Sequence, residues 1–177
     1  MSVYKILENG NPILKVPLSS VSEDCNREEL KSDLIETMKE HGGIGLSANQ
    51  VGVMERVFIF YEDFKTRNAI ACFNPKIIAV SDESTWDKEG CLTWPGLWLN
   101  KKRPVWCEVE FEDENGELKK EKYSNLEARV FQHEYEHMEG LDFTSGVSKL
   151  KLDMAIKRRN KQRKKAARLR NQLNKAV

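Results

Sequence analysis

Long apolar stretches are missing from this 177-residue chain. Its longest apolar runs, such as VFIF at positions 57–60, are far shorter than the roughly 20 residues that a membrane-spanning helix needs. The first residues, MSVYKILENGNP, also lack the basic stretch, apolar core and small-residue cleavage site of a secretory signal. These absences predict a cytoplasmic protein without a membrane anchor.

Cysteines are few and widely separated. The four at positions 25, 72, 91 and 107 do not form the dense framework of a disulfide-stabilised secreted domain. In a reducing compartment, a chemically important cysteine is more often a metal ligand or a nucleophile. Apolar residues make up 40% of the chain and charged residues 32%, which is typical of a globular protein with one domain and a real core.

Acidic residues are nearly absent from the end of the chain. Residues 149–177 contain twelve of the 29 Lys and Arg but only one acid, Asp153. Residues 1–148 carry seventeen basic and twenty-seven acidic residues, so the formal net charge of +1 hides an acidic body and a basic tail. We predict two parts, a domain over residues 1–150 and a basic helical tail over 151–177, and a polyanion is the natural partner for the tail.

Hydrophobic periodicity predicts the first helix and several strands. Residues 27–41 place apolar side chains at helical spacing, and two glycines follow as a stop signal. Branched and aromatic residues predict strands at 56–60 and 69–80. Residues 105–123 predict two further strands around an Asn-Gly turn.

A second helix is predicted to carry the segment HEYEH. It should begin at Ser124, whose hydroxyl can cap it while Glu127 completes a capping box, and it should end at Gly140. The tail lacks Pro and Gly and is rich in strong helix formers, which predicts a third helix. Without a regular βαβ rhythm, this pattern favours an α+β fold, with antiparallel β-sheets around a central helix and a C-terminal helix.

The sharpest chemical pattern is HEYEH at positions 133–137. His133 and His137 are four residues apart on the predicted central helix, so both imidazoles can converge on one cation and make this a metal-binding helix. Glu134 would lie beside that cation, where a carboxylate can accept a proton from water and deliver it to a leaving amine. The alternative is a chance HExxH match on a solvated helix.

A catalytic metal site of this kind needs a third protein ligand and one open position. The segment EGCLTWPG offers Cys91, whose thiolate would be a soft ligand for Zn²⁺ or Fe²⁺. The alternative role of Cys91 is that of a small buried apolar residue. The segment GIGLSANQ ends in Gln50, whose amide could stabilise an oxyanion by about 3 kcal/mol, although alone it would only indicate a turn.

GIGLSANQ, EGCLT and QHEYEH have the order and separations of the three signature motifs of peptide deformylases. The chain resembles that family from its ILENGNPIL region to about residue 150. The resemblance implies a metal-dependent hydrolase that removes the N-formyl group from the N-terminal formylmethionine of nascent polypeptides and releases formate. Residues 1–150 would be the catalytic domain, with one divalent metal ion, Fe²⁺ first and Zn²⁺, Ni²⁺ or Co²⁺ as alternatives.

The resemblance also implies roles for the reacting groups. The metal ligands would be Cys91, His133 and His137. The other catalytic residues would be a general acid/base and two oxyanion donors, a side-chain amide and a backbone N–H: Glu134, Gln50 and Leu92.

Further roles concern the substrate and the support of the site. Gly45 would contact the peptide backbone, and Glu89 and Arg103 would form a supporting ion pair. The pocket for the methionine side chain would be lined by three aliphatic residues: Ile44, Leu126 and Val130.

The sequence departs from the usual family pattern at four positions. Ser47, Thr93 and Glu136 stand where Ala, Ser and Asp are common, and none of these changes removes a ligand or a proton carrier. Arg129 stands where an apolar pocket residue is expected, which leaves the preference for methionine more open than the reaction type.

Two other functions stay open. An HExxH endopeptidase would need a third ligand other than Cys91, and a nucleic-acid-binding module with a structural zinc would need a fourth protein ligand. The tail has two readings as well. It could dock on ribosomal RNA, as a basic C-terminal helix does in some deformylases, or it could be a solvated helix that improves solubility.

Overall fold

Two antiparallel β-sheets and three α-helices form the fold of the computed structural model, which describes residues 2–175. The helices are α1 (Arg27–Glu40), α2 (Asn125–Met138) and α3 (Lys149–Lys175). The strands are β1 (Gly45–Ser47), β2 (Val57–Asp63), β3 (Asn68–Val80), β4 (Ser84–Glu89), β5 (Leu99–Pro104), β6 (Trp106–Glu112) and β7 (Leu118–Ser124). The predicted α+β fold is confirmed. Three terminal residues of the predicted parts lie outside the described residues: Met1, Ala176 and Val177.

The larger sheet has the strand order β1-β2-β3-β6-β7. Strand β6 shows why these residues form a sheet, since Cys107, Val109 and Phe111 are buried on one face while acidic residues alternate with them. Glu108 and Glu110 bind Lys122 and Lys120 on neighbouring β7. The predicted strands in this sheet are therefore confirmed by both pairing and burial.

The smaller sheet pairs β4 with β5. Sequence patterning missed both strands because their sequences, STWDKE and LNKKRP, are mostly polar and lack an apolar alternation. Their inward-facing positions include the charged residues Glu89, Lys101 and Arg103, of which Glu89 and Arg103 are buried, and one buried apolar residue, Leu99. This sheet therefore contributes mainly charged side chains to the interior.

Helix α2 packs against β1, β2, β6 and β7. Phe131 is fully buried on this face, and its ring centroid lies 4.9 Å from that of Phe58 and 5.7 Å from that of Tyr123. Burying such a ring stabilises the fold by about 2–3 kcal/mol. The aromatic contacts fix the rotation of α2 and hence the direction of its histidines.

The start of α2 differs from the prediction in one respect. Ser124 is the N-cap residue, but its side chain makes no capping hydrogen bond, so the predicted capping box with Glu127 is wrong. Strand β7 runs directly into the helix, and Asn125 makes the turn with a left-handed φ of 54° while its N–H donates to the Val105 carbonyl. The predicted end is confirmed, since Gly140 has a φ of +68° just beyond the helix.

Helix α3 begins at Lys149, and its first turns pack onto the body. Leu152, Ala155 and Ile156 contact a buried cluster that contains Leu97 and Phe143. Beyond this contact, residues 157–173 of the helix are exposed except for Arg159, which is half-buried. In the described part of the chain, no helix is both long and apolar enough to cross a membrane.

Candidate metal centre and active site

Three potential ligands from two elements converge at one point. Cys91 follows β4, whereas His133 and His137 lie one turn apart on α2. Their ligand atoms all lie within 4.8 Å of one another, and Cys91 Sγ is 3.4 Å from His137 Nε2. Both histidines are buried, so the cluster is screened from bulk water on the helix side.

The donor set fits a divalent transition metal ion. One thiolate and two imidazoles suit Zn²⁺ or Fe²⁺, and three protein ligands leave a position for a reacting molecule. His133 Nδ1 lies 3.2 Å from Glu89 Oε2, which leaves Nε2 free to face the cluster. Among residues 2–175, no fourth Cys, His, Asp or Glu joins this group, as a closed structural zinc site would require.

Electrostatics at the cluster favour an ionised thiol. Burial raises the pKa of Cys91, but the neighbouring imidazoles of His137 and His133 outweigh it and lower that pKa to about 5. Burial lowers the pKa of each imidazole, but the thiolate outweighs it, so both of these pKa values are raised. A divalent cation would take the place of the imidazole protons beside the thiolate.

Glu89 links two arginines to one of the histidines of the cluster. Its carboxylate accepts hydrogen bonds of 2.6 and 2.8 Å from Arg103 and one of 2.6 Å from Arg129, and it lies beside His133. Burial raises the pKa of Glu89, but the bonds from His133 and Arg103 outweigh it and hold this pKa well below its usual range. An ionised carboxylate behind a histidine ligand fixes its ring orientation.

Two residues of α2 that depart from the usual family pattern, Arg129 and Glu136, belong to the same ionic network. Glu136 binds Arg103 at 3.0 Å and Lys101 at 2.8 Å. Arg129 donates through its guanidinium to Glu89 and to the carbonyl oxygens of Lys101 and Thr85. Sequence reasoning missed this role of Arg129, although its position four residues before a histidine places both side chains on one face of α2.

Glu134 is buried next to the first motif. Its Oε2 accepts a 2.8 Å hydrogen bond from the hydroxyl of Ser47. A Cβ added to Gly45 would lie 2.5 Å from Oε1, so only glycine allows this close approach. Burial raises the pKa of Glu134 and outweighs the opposing effect of the two histidines.

Gln50 has a fixed amide. Its Oε1 accepts from the N–H of Ser47 at 2.9 Å, while its Nε2 donates to Thr93 Oγ1 at 3.0 Å and to Cys91 Sγ at 3.2 Å. These contacts arise because the segment that looked like a simple turn forms strand β1 and a 3-10 turn over Ala48–Val51. The amide nitrogen is thereby directed towards the cluster.

A cavity of about 430 Å³ opens over the cluster. It brings together the residues that the sequence assigned to the substrate, the oxyanion and the proton: Ile44, Gly45, Leu126, Val130, Gln50, Leu92 and Glu134. Arg129 also lines the cavity, and its guanidinium is bound to Glu89. Trp94 and Trp98 also line the cavity, which the sequence analysis did not anticipate.

Comparisons with known proteins agree with this geometry. The family described as polypeptide deformylase matches residues 3–153. The peptide deformylase of Wolbachia pipientis wMel is 38% identical over 175 residues, which cover 93% of this chain and 98% of that protein.

Solved structures are similar over nearly the whole chain. A peptide deformylase from Synechococcus elongatus in complex with actinonin is 30% identical with a TM-score of 0.83, and the match covers 89% of this chain and 88% of that one. A peptide deformylase from Legionella pneumophila is 29% identical with a TM-score of 0.83, and the match covers 94% of this chain and 99% of that one.

Proposed function

Since this chain belongs to the polypeptide deformylase family and is a metal-dependent hydrolase that removes the N-formyl group from nascent peptides, we propose that the cluster described above is its active site. The observation that carries the proposal is the convergence of Cys91, His133 and His137 beside Glu134 on one cavity. The enzyme would act in the cytoplasm, in the processing of N-terminal methionine during protein synthesis.

Cys91, His133 and His137 would hold one divalent metal ion. Fe²⁺ is the first candidate and Zn²⁺, Ni²⁺ or Co²⁺ are alternatives, since one thiolate with two imidazoles accepts each of them. When bound, such an ion activates water as a nucleophile at neutral pH and polarises a carbonyl oxygen. Glu89, fixed by Arg103 and Arg129, keeps the His133 ring in its ligating orientation.

Glu134 would move the protons. Hydrolysis adds water to the formyl carbon and breaks the bond from that carbon to the α-nitrogen of methionine. Glu134 accepts the proton that the attacking water loses and returns it to the departing amine, so that formate and a free N-terminus are released. Its burial raises its pKa, which suits a group that both takes and gives a proton.

Gln50 and the backbone N–H of Leu92 would stabilise the oxyanion that forms during the attack. The Gln50 amide is held by Ser47 and Thr93 before any substrate binds. Such preorganisation avoids a reorganisation cost in the transition state, and one donor of this kind contributes about 3 kcal/mol. Gly45 would bind the peptide backbone, because it lies beside Glu134 at the cavity wall.

The methionine side chain would lie against Ile44, Leu126 and Val130. These aliphatic residues line the cavity, and Ile44 and Leu126 are half exposed at its mouth. Arg129 is compatible with this assignment, since its guanidinium is held by hydrogen bonds to Glu89, Lys101 and Thr85.

The test is formate release from formyl-Met-Ala-Ser by anaerobically purified protein, beside a Glu134→Ala variant that keeps its metal. The wild type should release formate and the variant should not. Acetyl-Met-Ala-Ser serves as the control substrate and should stay intact. If the metal-loaded wild type cut an internal peptide bond instead, or if Cys91→Ala retained its metal, the endopeptidase alternative would replace this proposal.

A second proposal concerns helix α3, which would bind ribosomal RNA. Its exposed length carries most of the tail's basic residues, whereas Leu152, Ala155 and Ile156 secure its start to the body. Deleting residues 157–177 keeps that packing, so turnover of a small formyl peptide should persist while salt-sensitive co-sedimentation with ribosomes is lost. Unchanged co-sedimentation would leave the helix as a solvated segment.

A further inference from the structure

The β4–β5 sheet turns a distinctive face towards solvent, which we call the outer face. Its cross-strand neighbours are Trp86 with Lys102 and Lys88 with Asn100, and Trp98 precedes β5 in the same alternation. Trp86 and Trp98 are both 64% exposed. Two tryptophans exposed to this extent on one small sheet indicate a contact surface.

The outer face is continuous with the active-site cavity. Trp98 and Lys88 both line the cavity. The six-membered ring of Trp98 rests on the backbone of Gly90, because a Cβ there would lie 3.2 Å from the ring. Gly90 directly precedes the ligand Cys91, so the indole is held beside the metal centre while much of its surface stays open.

The basic side chains of the outer face are Lys88 and Lys102, while the exposed Asp87 lies on the other side of β4, where its Oδ1 accepts a 2.7 Å hydrogen bond from the Lys88 N–H. In the described part of the chain, neither Lys88 nor Lys102 forms an ion pair, whereas Lys101 on the inner face binds Glu136. The carboxylates that line the cavity belong to Glu89 and Glu134, which are both buried. Among the described residues that line the cavity, Lys88 is therefore exposed and no carboxylate is.

Basic residues also lie on the opposite side of the cavity mouth. A hollow of about 230 Å³ shares the segment 42–44 with the main cavity, and its lining within residues 2–175 includes Lys39 and Arg67 but no carboxylate. Lys39 makes an exposed 3.5 Å contact with Glu36. This local excess of cations contrasts with residues 1–148, where acids outnumber bases by twenty-seven to seventeen.

We propose that the outer face binds the two residues that follow formylmethionine and that it favours acidic side chains there. This inference rests on the proposed function. With methionine in the cavity, an extended chain advances about 3.3 Å per residue, so the next two residues emerge past the cavity mouth that Trp98 and Lys88 line. The indole offers an apolar platform to the chain, and the ammonium attracts a carboxylate.

The experiment measures kcat/KM for C-terminally amidated formyl-Met-Ala-Ser and for versions with Asp or Lys at the second or third position. Amidation removes the terminal carboxylate, which would otherwise bind the same cations. The wild type should prefer Asp over Lys by about two- to fivefold at low salt, the range of one exposed ion pair. The preference should shrink in 0.5 M NaCl, where charges are screened within a few ångströms.

Lys88→Glu should reverse the preference. The matched control is Lys76→Glu, which makes the same charge change at an exposed position on β3 that does not line the cavity. Trp98→Ala should raise KM for every peptide with little change in kcat, and Trp98→Phe should restore much of the loss.

Equal kcat/KM for Asp and Lys peptides, or equal effects of the two lysine variants, would overturn the inference while formate release still supports the proposed function. Absence of formate release from all peptides by metal-loaded wild type would overturn both.

Discussion

Replacing Glu89 by Gln tests whether the buried ionic network orients the metal ligands. The change keeps the size of the side chain but removes the charge that Arg103, Arg129 and His133 share. It also brings an NH₂ group towards three donors, so at least one of them loses its acceptor. The matched control is Glu136→Gln, since Glu136 binds Arg103 but is not bonded to either histidine ligand.

The expected fall in Tm follows from how deeply the Glu89–Arg103 pair is buried. The side chains of Glu89 and Arg103 are 5% and 4% exposed, and breaking such a buried pair costs about 3–5 kcal/mol. In a domain of this size, each kcal/mol lowers Tm by about 2–4 °C, so Glu89→Gln should lower it by about 10 °C. Glu136 is 23% exposed, and its replacement should cost about 1 kcal/mol because water compensates part of the loss.

The dependence on pH gives a further check. Because the folded-state pKa of Glu89 is lowered, its contribution is complete above the pKa of an unfolded glutamate, about 4.3, and declines as pH falls towards the folded value. The Tm difference between wild type and Glu89→Gln should therefore be full at pH 7 and smaller below pH 4.

The assay is thermal unfolding of chelator-treated protein, followed by circular dichroism, together with metal affinity from competition with a chromophoric chelator. Glu89→Gln should weaken metal binding by about 10- to 100-fold, whereas Glu136→Gln should weaken it far less. The reasoning is refuted if Glu89→Gln melts within 3 °C of wild type, or if both variants lose metal equally.

Three further predictions concern residues around the same centre. Ser47→Ala removes the hydrogen bond to Glu134 that opposes the rise of its pKa on burial, so this pKa should rise further. In a plot of kcat/KM against pH, the acidic limb should therefore move to higher pH. A limb that stays in place would contradict this. Gly45→Ala should displace the Glu134 carboxylate and lower kcat about 100-fold. Its metal content, measured by atomic absorption, should be normal. A wild-type kcat in this variant would show that the carboxylate can move freely. Arg129→Met keeps an apolar side chain at the cavity but removes one partner of Glu89, so chemical denaturation should show that the free energy of unfolding falls by about 1–3 kcal/mol. The preference for methionine should be retained. A preference that shifts to another side chain would mean that the guanidinium itself selects the substrate.

Local sequence signals were sufficient for the elements with apolar periodicity. Helix α1 buries helically spaced apolar residues, β6 alternates buried apolar with acidic residues, and β2 is a continuous run of buried branched and aromatic residues, so these patterns can be read directly. Strands β4 and β5 could not be found in this way, because several of their inward-facing residues are charged and form ion pairs with α2. Pairing of that kind depends on a distant helix and leaves no period in the strand itself.

The site shows the same division. The two histidines and Glu134 that we propose for the site could be selected from the sequence because HExxH spacing places them on one helix, and the ordered motifs added Cys91 as the proposed third ligand. The part played by Arg129 required knowledge of where β4 and β5 lie, since its partners Thr85 and Lys101 come from those strands. Similarly, the open indole of Trp98 depends on its contact with Gly90, which no spacing rule predicts.

Helix α2 is therefore held by two sheets in two different ways. The larger sheet contacts it through close-packed aromatic rings around Phe131. Close packing of this kind leaves little room for α2 to rotate. The smaller sheet contacts it through Glu89, whose bonds to Arg103 and Arg129 hold its carboxylate 3.2 Å from His133 Nδ1. Because Cys91 follows β4 by two residues, the strand that positions Glu89 also positions the third ligand. Any shift of the smaller sheet would therefore move the Cys91 thiol and the carboxylate beside His133 together.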